Sequence, residues 1–379
     1  MRRIGFYLFI MAVFLLAPLL ALPQKAVQAP TAAPTPTPTA VARAAAPYRA
    51  VWVSYLEWEQ VDFSSSEAFT QAIGTMLDNI QSIGATVVLA QVRPFGDALY
   101  PSDYFPFSHL CTGTQGQDPG FDPLALLVDA AHARDLQLEA WVNPYRIQAG
   151  QTPALCGASP ARLHPDWVRY TDTGAYLDPA SADVRQYIAD GVGELCARYA
   201  VDGIHFDDYF YPTTDPAFDA ADYAASGSTR TQDGVRFGAA PAGDPEQNYT
   251  LQYSDAARWL RQGTVDYLMP QLYWGQEYIK NGDASHSFAQ LAAAWAALPR
   301  AAGVKLYAGL GAYRVGAGDG SDAGSEWFSG HALADQLALL ARLGVQGAGL
   351  YRYGSLFANS GAPALAESEA EAIKGVWQG

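Results

Sequence analysis

Five consecutive residues, His205-Phe206-Asp207-Asp208-Tyr209, bring an imidazole, two carboxyls and a phenol to the end of a short strand-like run, Gly203–Phe206. Side chains alternate faces along a strand, so His205, Asp207 and Tyr209 share one side, and Ile204 and Phe206 the other. A carboxylate at a dry concave site is unstable unless it is hydrogen-bonded or used. Cleaving a glycosidic bond by the usual route takes two carboxyls, one to protonate the leaving oxygen and one to attack the sugar or activate water. Asp207 is expected as the nucleophile or base. Glu277, in Tyr273-Trp274-Gly275-Gln276-Glu277, is the first choice for the acid, because aromatic neighbours desolvate a carboxyl and raise its pKa. Asp97 and Asp208 compete for that role. Each has a plainer alternative: Asp207 and Asp208 as braces for Arg93, Asn143 and Arg146, Glu277 as a solvated loop acid, Asp97 as a backbone cap. His205 is expected either to orient Asp207 or to be a satisfied interior histidine.

These residues must be carried by elements that bring distant parts of the chain together. Eight strand-like runs occur at 50–54, 86–92, 137–142, 203–206, 235–239, 267–272, 306–311 and 347–351. Helical periodicity fills most intervals. Ser66, Asp122-Pro123 and Ser181 are read as helix starts, and later helices are expected at 288–298, 330–343 and 363–376. Eight such alternations in one domain predict an α/β (β/α)8 TIM barrel. The interval from Tyr211 to Val235 lacks apolar periodicity and holds Ser226-Gly227-Ser228 and Asp233-Gly234, so the helix between strands four and five is expected to be eroded or missing. A doubly wound sheet is the alternative, but it lacks a glycine-rich phosphate turn after the first strand.

Barrel enzymes work at the C-terminal ends of their strands. Polar and aromatic residues gather there at strand after strand. The expected substrate-binding set is Arg93, Asn143, Tyr145, Arg146, His205, Tyr209, Gln271, Tyr273, Trp274 and Tyr313. Trp52, Trp58 and Trp141 are further candidates for sugar platforms, although Trp52, inside its strand, reads more readily as core.

The 379-residue chain is 50% hydrophobic and 12% aromatic, with net charge −15. It carries no basic footprint for nucleic acid. Arg2-Arg3 followed by the apolar run 4–22 predicts a signal peptide or signal anchor over 1–27. An Ala/Pro/Thr-rich linker follows at 28–47, and the barrel spans 48–379. The domain is therefore expected outside the cytoplasm, as a monomer, with the N-terminal segment a potential tether. No metal-site spacing occurs and no cofactor is expected. Of the three cysteines, Cys111 and Cys156 are candidates for a disulfide, and Cys196 for a buried helix residue.

The sequence resembles the glycosyl hydrolase-like 10 family of bacterial extracellular proteins. The likeness is carried in order by RAVWVSYLEW (49–58), QVRPFGDALYPS (91–102), GTQGQDPGFDPLA (113–125), EAWVNPYR (139–146), DGIHFDDYFYPT (202–213), FGAAPAG (237–243), DYLMPQLYWG (266–275) and GLGAYRVG (309–316). It implies a TIM-like barrel that hydrolyses glycan, with bacterial cell-wall polysaccharide the favoured substrate. It also implies a catalytic region at Asp207 and Asp208, with Arg93, Asp97, Asn143, Tyr145, Arg146, Gln271 and Tyr273 on the rim. Two departures stand out: the family's helix before FGAAPAG is expected to be eroded or missing, and Glu139 stands where relatives often have His, reading as a buried, paired carboxylate. The 202–212 segment also looks like the DGxDxDxE strand of family 18 chitinases. His205 and Tyr209 occupy the places of its Asp and Glu, which disfavours substrate-assisted chemistry. An α-amylase-like register with Asp207 as nucleophile fits better, by analogy. Alternatives to a glycosidase are a non-catalytic glycan-binding barrel and a metal-dependent hydrolase or deacetylase using His205, Asp207 and Asp208.

Overall fold

A computed structural model describes residues 47–207, 235–250, 252, 254–322 and 325–379. Its centre is a ring of eight parallel strands: β1 (Tyr48–Val53), β2 (Val87–Arg93), β3 (Gln137–Val142), β4 (Gly203–Phe206), β5 (Arg236–Ala239), β6 (Tyr267–Leu268 and Gln271–Leu272), β7 (Lys305–Leu306 and Ala308–Gly311) and β8 (Gly347–Tyr351). Each strand pairs with the next, and β8 pairs back to β1. β6 is split at Met269-Pro270, where proline has no N–H to give. The amides of Met269 and Gln271 still donate to Ala239 and Pro241, and those of Tyr307 and Gly309 to Leu268 and Pro270, so the ring stays closed across the breaks. The predicted barrel is present.

Strand alternation sorts the core into two layers. Val51, Val53, Val88, Ala90, Leu138, Ala140, Ile204, Leu268 and Leu350 point outward into the layer shared with the helices. Tyr48, Ala50, Trp52, Val87, Leu89, Trp141, Tyr267, Met269 and Tyr307 fill the interior. Large interior rings need small residues opposite them. At Gly238 a methyl group would collide with the Tyr267 ring, and at Gly349 it would meet Trp52 and Met269.

The long helices follow the strands as α1 (Ser66–Ser82), α2 (Pro123–His132), α3 (Ala182–Arg198), α4 (Ala256–Gln262), α5 (Phe288–Ala297), α6 (Ala332–Arg342) and α7 (Pro363–Gln378). Asp122 and Ser181 cap α2 and α3 as expected, each accepting a backbone N–H of the first turn. Ser65, one residue before the predicted Ser66, caps α1 by accepting from Ala68 N at 3.1 Å. The eroded helix expected between strands four and five falls at 208–234, outside the described residues.

The sequence reading lacks one element. After β3, three four-residue strands, Arg146–Ala149, Val168–Thr171 and Gly174–Leu177, form a small antiparallel sheet. Its apolar side, Ile147, Val168, Ala175 and Leu177, packs with Val184 and Ile188 of α3. Strands this short carry too few alternations to register as periodicity. The expected disulfide is absent: neither Cys111 nor Cys156 is bonded to another cysteine. Cys196 is half-buried at the edge of the outer core rather than inside it. Among the described residues no helix is long and apolar enough to cross a membrane, and the proposed signal lies outside them.

Candidate active site

At the C-terminal mouth of the barrel lies a cleft of about 380 Å³, lined by Trp52, Leu56, Trp141, Asp207, Ala240, Gln271, Tyr273, Tyr313, Tyr351 and Arg352. These come from the ends of β1, β3, β4, β5, β6, β7 and β8, as a barrel site should. Tyr273 stacks on Tyr351, with ring centroids 5.7 Å apart, and meets Tyr313 edge-on at 5.6 Å. The wall is thus aromatic, suited to the apolar faces of sugar rings.

Asp207 is 4% exposed. Its Oδ2 accepts hydrogen bonds from Trp141 Nε1 at 3.2 Å and Asn143 Nδ2 at 3.3 Å. Asn143 is itself fixed, since its Oδ1 accepts from Arg146 N at 3.1 Å. Strand β3 therefore holds the carboxylate that β4 presents. Among the described lining residues Asp207 is the one carboxylate.

Several predicted site residues stand elsewhere. Arg93 is buried outside the barrel axis. A bulge between Gln91 and Arg93 shifts the β2–β3 register and pairs Arg93 with outward-facing Val142. Its guanidinium then lies over Phe105, 4.2 Å from the ring centroid, and donates to Pro144 O. Asp97 is fully buried, accepting from Gln115 Nε2 at 3.1 Å and lying 3.3 Å from His109 Nδ1, so it braces its own loop. Glu277 is exposed on the rim and does not line the cleft; its backbone N–H donates to Glu326, whose carboxyl is raised by burial. Arg146 donates from Nε to Pro94 O and packs on Phe95, and Tyr145 and Trp274 also stand outside the lining. Gln271, Tyr273 and Tyr313 do line it. Asp208 and Tyr209 lie outside the described residues.

His205 neither lines the cleft nor turns to Asp207. It is fully buried beneath the floor. Trp52 Nε1 donates to His205 Nε2 at 3.1 Å, and His205 Nδ1 meets Tyr267 Oη at 2.7 Å. Tyr267 donates in turn to Glu139 Oε2 at 2.6 Å, and Arg236 Nη1 binds Glu139 Oε1 at 2.6 Å. Since Nε2 accepts and the ring is neutral, the proton sits on Nδ1. A column of partners therefore climbs the barrel interior from Arg236 to the cleft floor. Glu139 is the buried, paired carboxylate the sequence suggested, and burial raises its pKa. Both His205 nitrogens are engaged, which removes it from a metal-binding set with Asp207.

Burial pushes the His205 pKa down from 6.5 to about 3. As pH falls, the unfolded chain protonates first, so the stability His205 supports is complete above pH 6.5 and is lost between 6.5 and 3. Melting temperature measured against pH should fall more steeply below 6.5 in the wild type than in His205→Gln. Parallel curves would refute this.

Leu56, Ala240, Tyr351 and Arg352 line the cleft without having been in the expected set. Trp52, read as core, lines the floor although only 2% exposed. Arg352 lines the wall and is gripped by buried Glu57, whose other oxygen accepts from Ser54 N and Oγ. The Tyr351-Arg352-Tyr353 cluster at the end of β8 was the available signal.

The sequence matches the glycosyl hydrolase-like 10 family over residues 47–232 and 228–329. It is 32% identical to the glycosyl hydrolase YngK of Bacillus subtilis over 315 residues, covering 70% of this chain and 61% of that protein. It is also 32% identical to the glycosyl hydrolase DigH of Escherichia coli K12 over 331 residues, covering 71% and 74%. The fold is similar to the PgaB (BpsB) glycoside hydrolase domain of Bordetella bronchiseptica, with a TM-score of 0.57, 16% identity, and coverage of 88% of this chain and 99% of that one. With its barrel, its cleft and these matches, the chain belongs to the glycosyl hydrolase-like 10 family.

Proposed function

We propose that the domain hydrolyses glycosidic bonds of a polysaccharide outside the cytoplasm, bacterial cell-wall glycan being the favoured substrate, with Asp207 as nucleophile or base. The observation that carries this is a single one: a buried carboxylate, oriented by Trp141 and Asn143, opens onto an aromatic-walled cleft. A dry, pre-oriented carboxylate beside stacking surfaces is what an oxocarbenium-like transition state requires. Of the three candidates for the acid, Asp97 and Glu277 do not line the cleft, and Asp208 lies outside the described residues. Export rests on Arg2-Arg3, the apolar run after them and the 28–47 linker.

Purified domain incubated with peptidoglycan glycan strands, chitin and plant polysaccharides should release reducing ends from the first, and a chelator should leave the rate unchanged. A glycan-binding barrel without catalysis is the second reading, favoured by Asp207 being the one carboxylate among the described lining residues. Retention of glycan by the wild type with no release of reducing ends would establish that reading instead.

A further inference from the structure

We propose that the cleft takes a glycan whose sugars carry carboxylates, and that Arg352, held in place by Glu57, is the residue that binds them. The inference rests on the glycan-cleft reading above and narrows its substrate class.

Arg352 follows β8 directly, and Asp207 follows β4. In a closed ring of eight strands these two stand half a turn apart, so guanidinium and carboxylate come from opposite sides of the mouth. Both line the cleft. The cleft therefore has a polarity, negative at β4 and positive at β8. An anionic sugar is turned by that polarity, its charge drawn to Arg352 and repelled by Asp207.

A guanidinium that only braced Glu57 would spend its two-pronged edge on that carboxylate. Arg352 gives it one nitrogen, Nη1, which donates to Glu57 Oε1. Glu57 is supplied from elsewhere as well. Gly354 N donates to Oε1 at 3.1 Å, and Ser54 N and Oγ donate to Oε2 at 2.8 and 2.7 Å. Its charge is thus shared among four donors. Arg352 keeps Nε and Nη2, which bond no described residue and are not buried. The side chain is 28% exposed. Parallel N–H groups on one edge of a guanidinium match the two oxygens of a carboxylate. Because Glu57 fixes the guanidinium beforehand, less side-chain freedom is lost on binding. With Glu57 behind and Asp207 opposite, the site can balance one negative charge, which favours a carboxylate over the nearly double charge of a phosphate.

The test measures kcat and KM of the wild type and Arg352→Gln on peptidoglycan glycan strands and on oligogalacturonate, each native and with its carboxyls reduced to alcohols. The wild type should act on one native glycan about tenfold or more better in kcat/KM than on its reduced form. Which pair shows this tells an ether-linked acid from a uronic acid. The preference should shrink as salt is raised, because it is an attraction between charges. In Arg352→Gln the native-to-reduced ratio should fall below about threefold, since the amide offers no charge. Equal action of the wild type on native and reduced forms, a preference that salt leaves unchanged, or an Arg352→Gln ratio above that threshold would each overturn the assignment. Glu57 retains Ser54 and Gly354 as donors in the variant, which should fold. Should it not, the wild-type ratio and its salt dependence decide alone. Cleavage of both forms alike leaves the glycan-cleft reading standing and removes this inference; no cleavage or retention of any of these glycans removes both.

Discussion

Asp207→Asn is expected to reduce kcat by about 10³-fold or more while leaving glycan binding and folding nearly intact. Asparagine keeps the size of the side chain and can still accept from Trp141 and Asn143 through its amide oxygen. What it loses is the negative charge that attacks the sugar or takes the proton from water. A factor of 10³ corresponds to about 4 kcal/mol of barrier, a plausible share for one directly reacting group. Product release followed by chromatography, with calorimetric binding of the same glycan, separates turnover from affinity. A variant that still turns over within about tenfold of wild type would remove Asp207 from the chemistry. Equal loss of binding and turnover would instead make it a binding residue.

The largest effect on stability is expected from Glu139→Ala. Glu139 is fully buried, binds Arg236 at 2.6 Å and receives the Tyr267 hydroxyl at 2.6 Å. Its removal leaves a cavity, a half-buried guanidinium and a buried phenol without an acceptor. Breaking one side of such a pair typically costs about 3–5 kcal/mol. Glu139→Gln keeps an acceptor for Tyr267 and should lose clearly less. Arg236 sits at the open lower end of the barrel, with its side chain 31% exposed, so water can solvate its charge and limit the damage. Urea midpoints for both variants give the comparison; equal losses would show that the hydrogen bond to Tyr267 contributes little.

The barrel was legible because its strands are long enough, and apolar enough, to alternate visibly. All eight predicted runs correspond to strands, and Asp122 and Ser181 cap where expected. The small antiparallel sheet after β3 was not legible, because four residues hold too little pattern. The site was legible as a rim and less so as a set of contacts. Asp207, Gln271, Tyr273 and Tyr313 could be placed by counting past strand ends. Arg93 could not, because one bulge in β2 reverses its side, and nothing in the residue types announces a bulge. Of the two expectations for His205, the satisfied interior histidine holds: it lies one layer below Asp207, where its partners are Trp52 and Tyr267. Trp52 was assigned to the core by its position within β1, and it belongs to both core and floor.

The carboxylate is braced from β3, whereas Gln271, Tyr273, Tyr313, Tyr351 and Arg352 on the opposite wall belong to the last three strands. On the proposed function, reactivity and grip are carried by separate arcs of the ring, far apart along the chain. On that function, substitutions along the second arc should retune which sugar is held while Trp141 and Asn143 keep Asp207 in place.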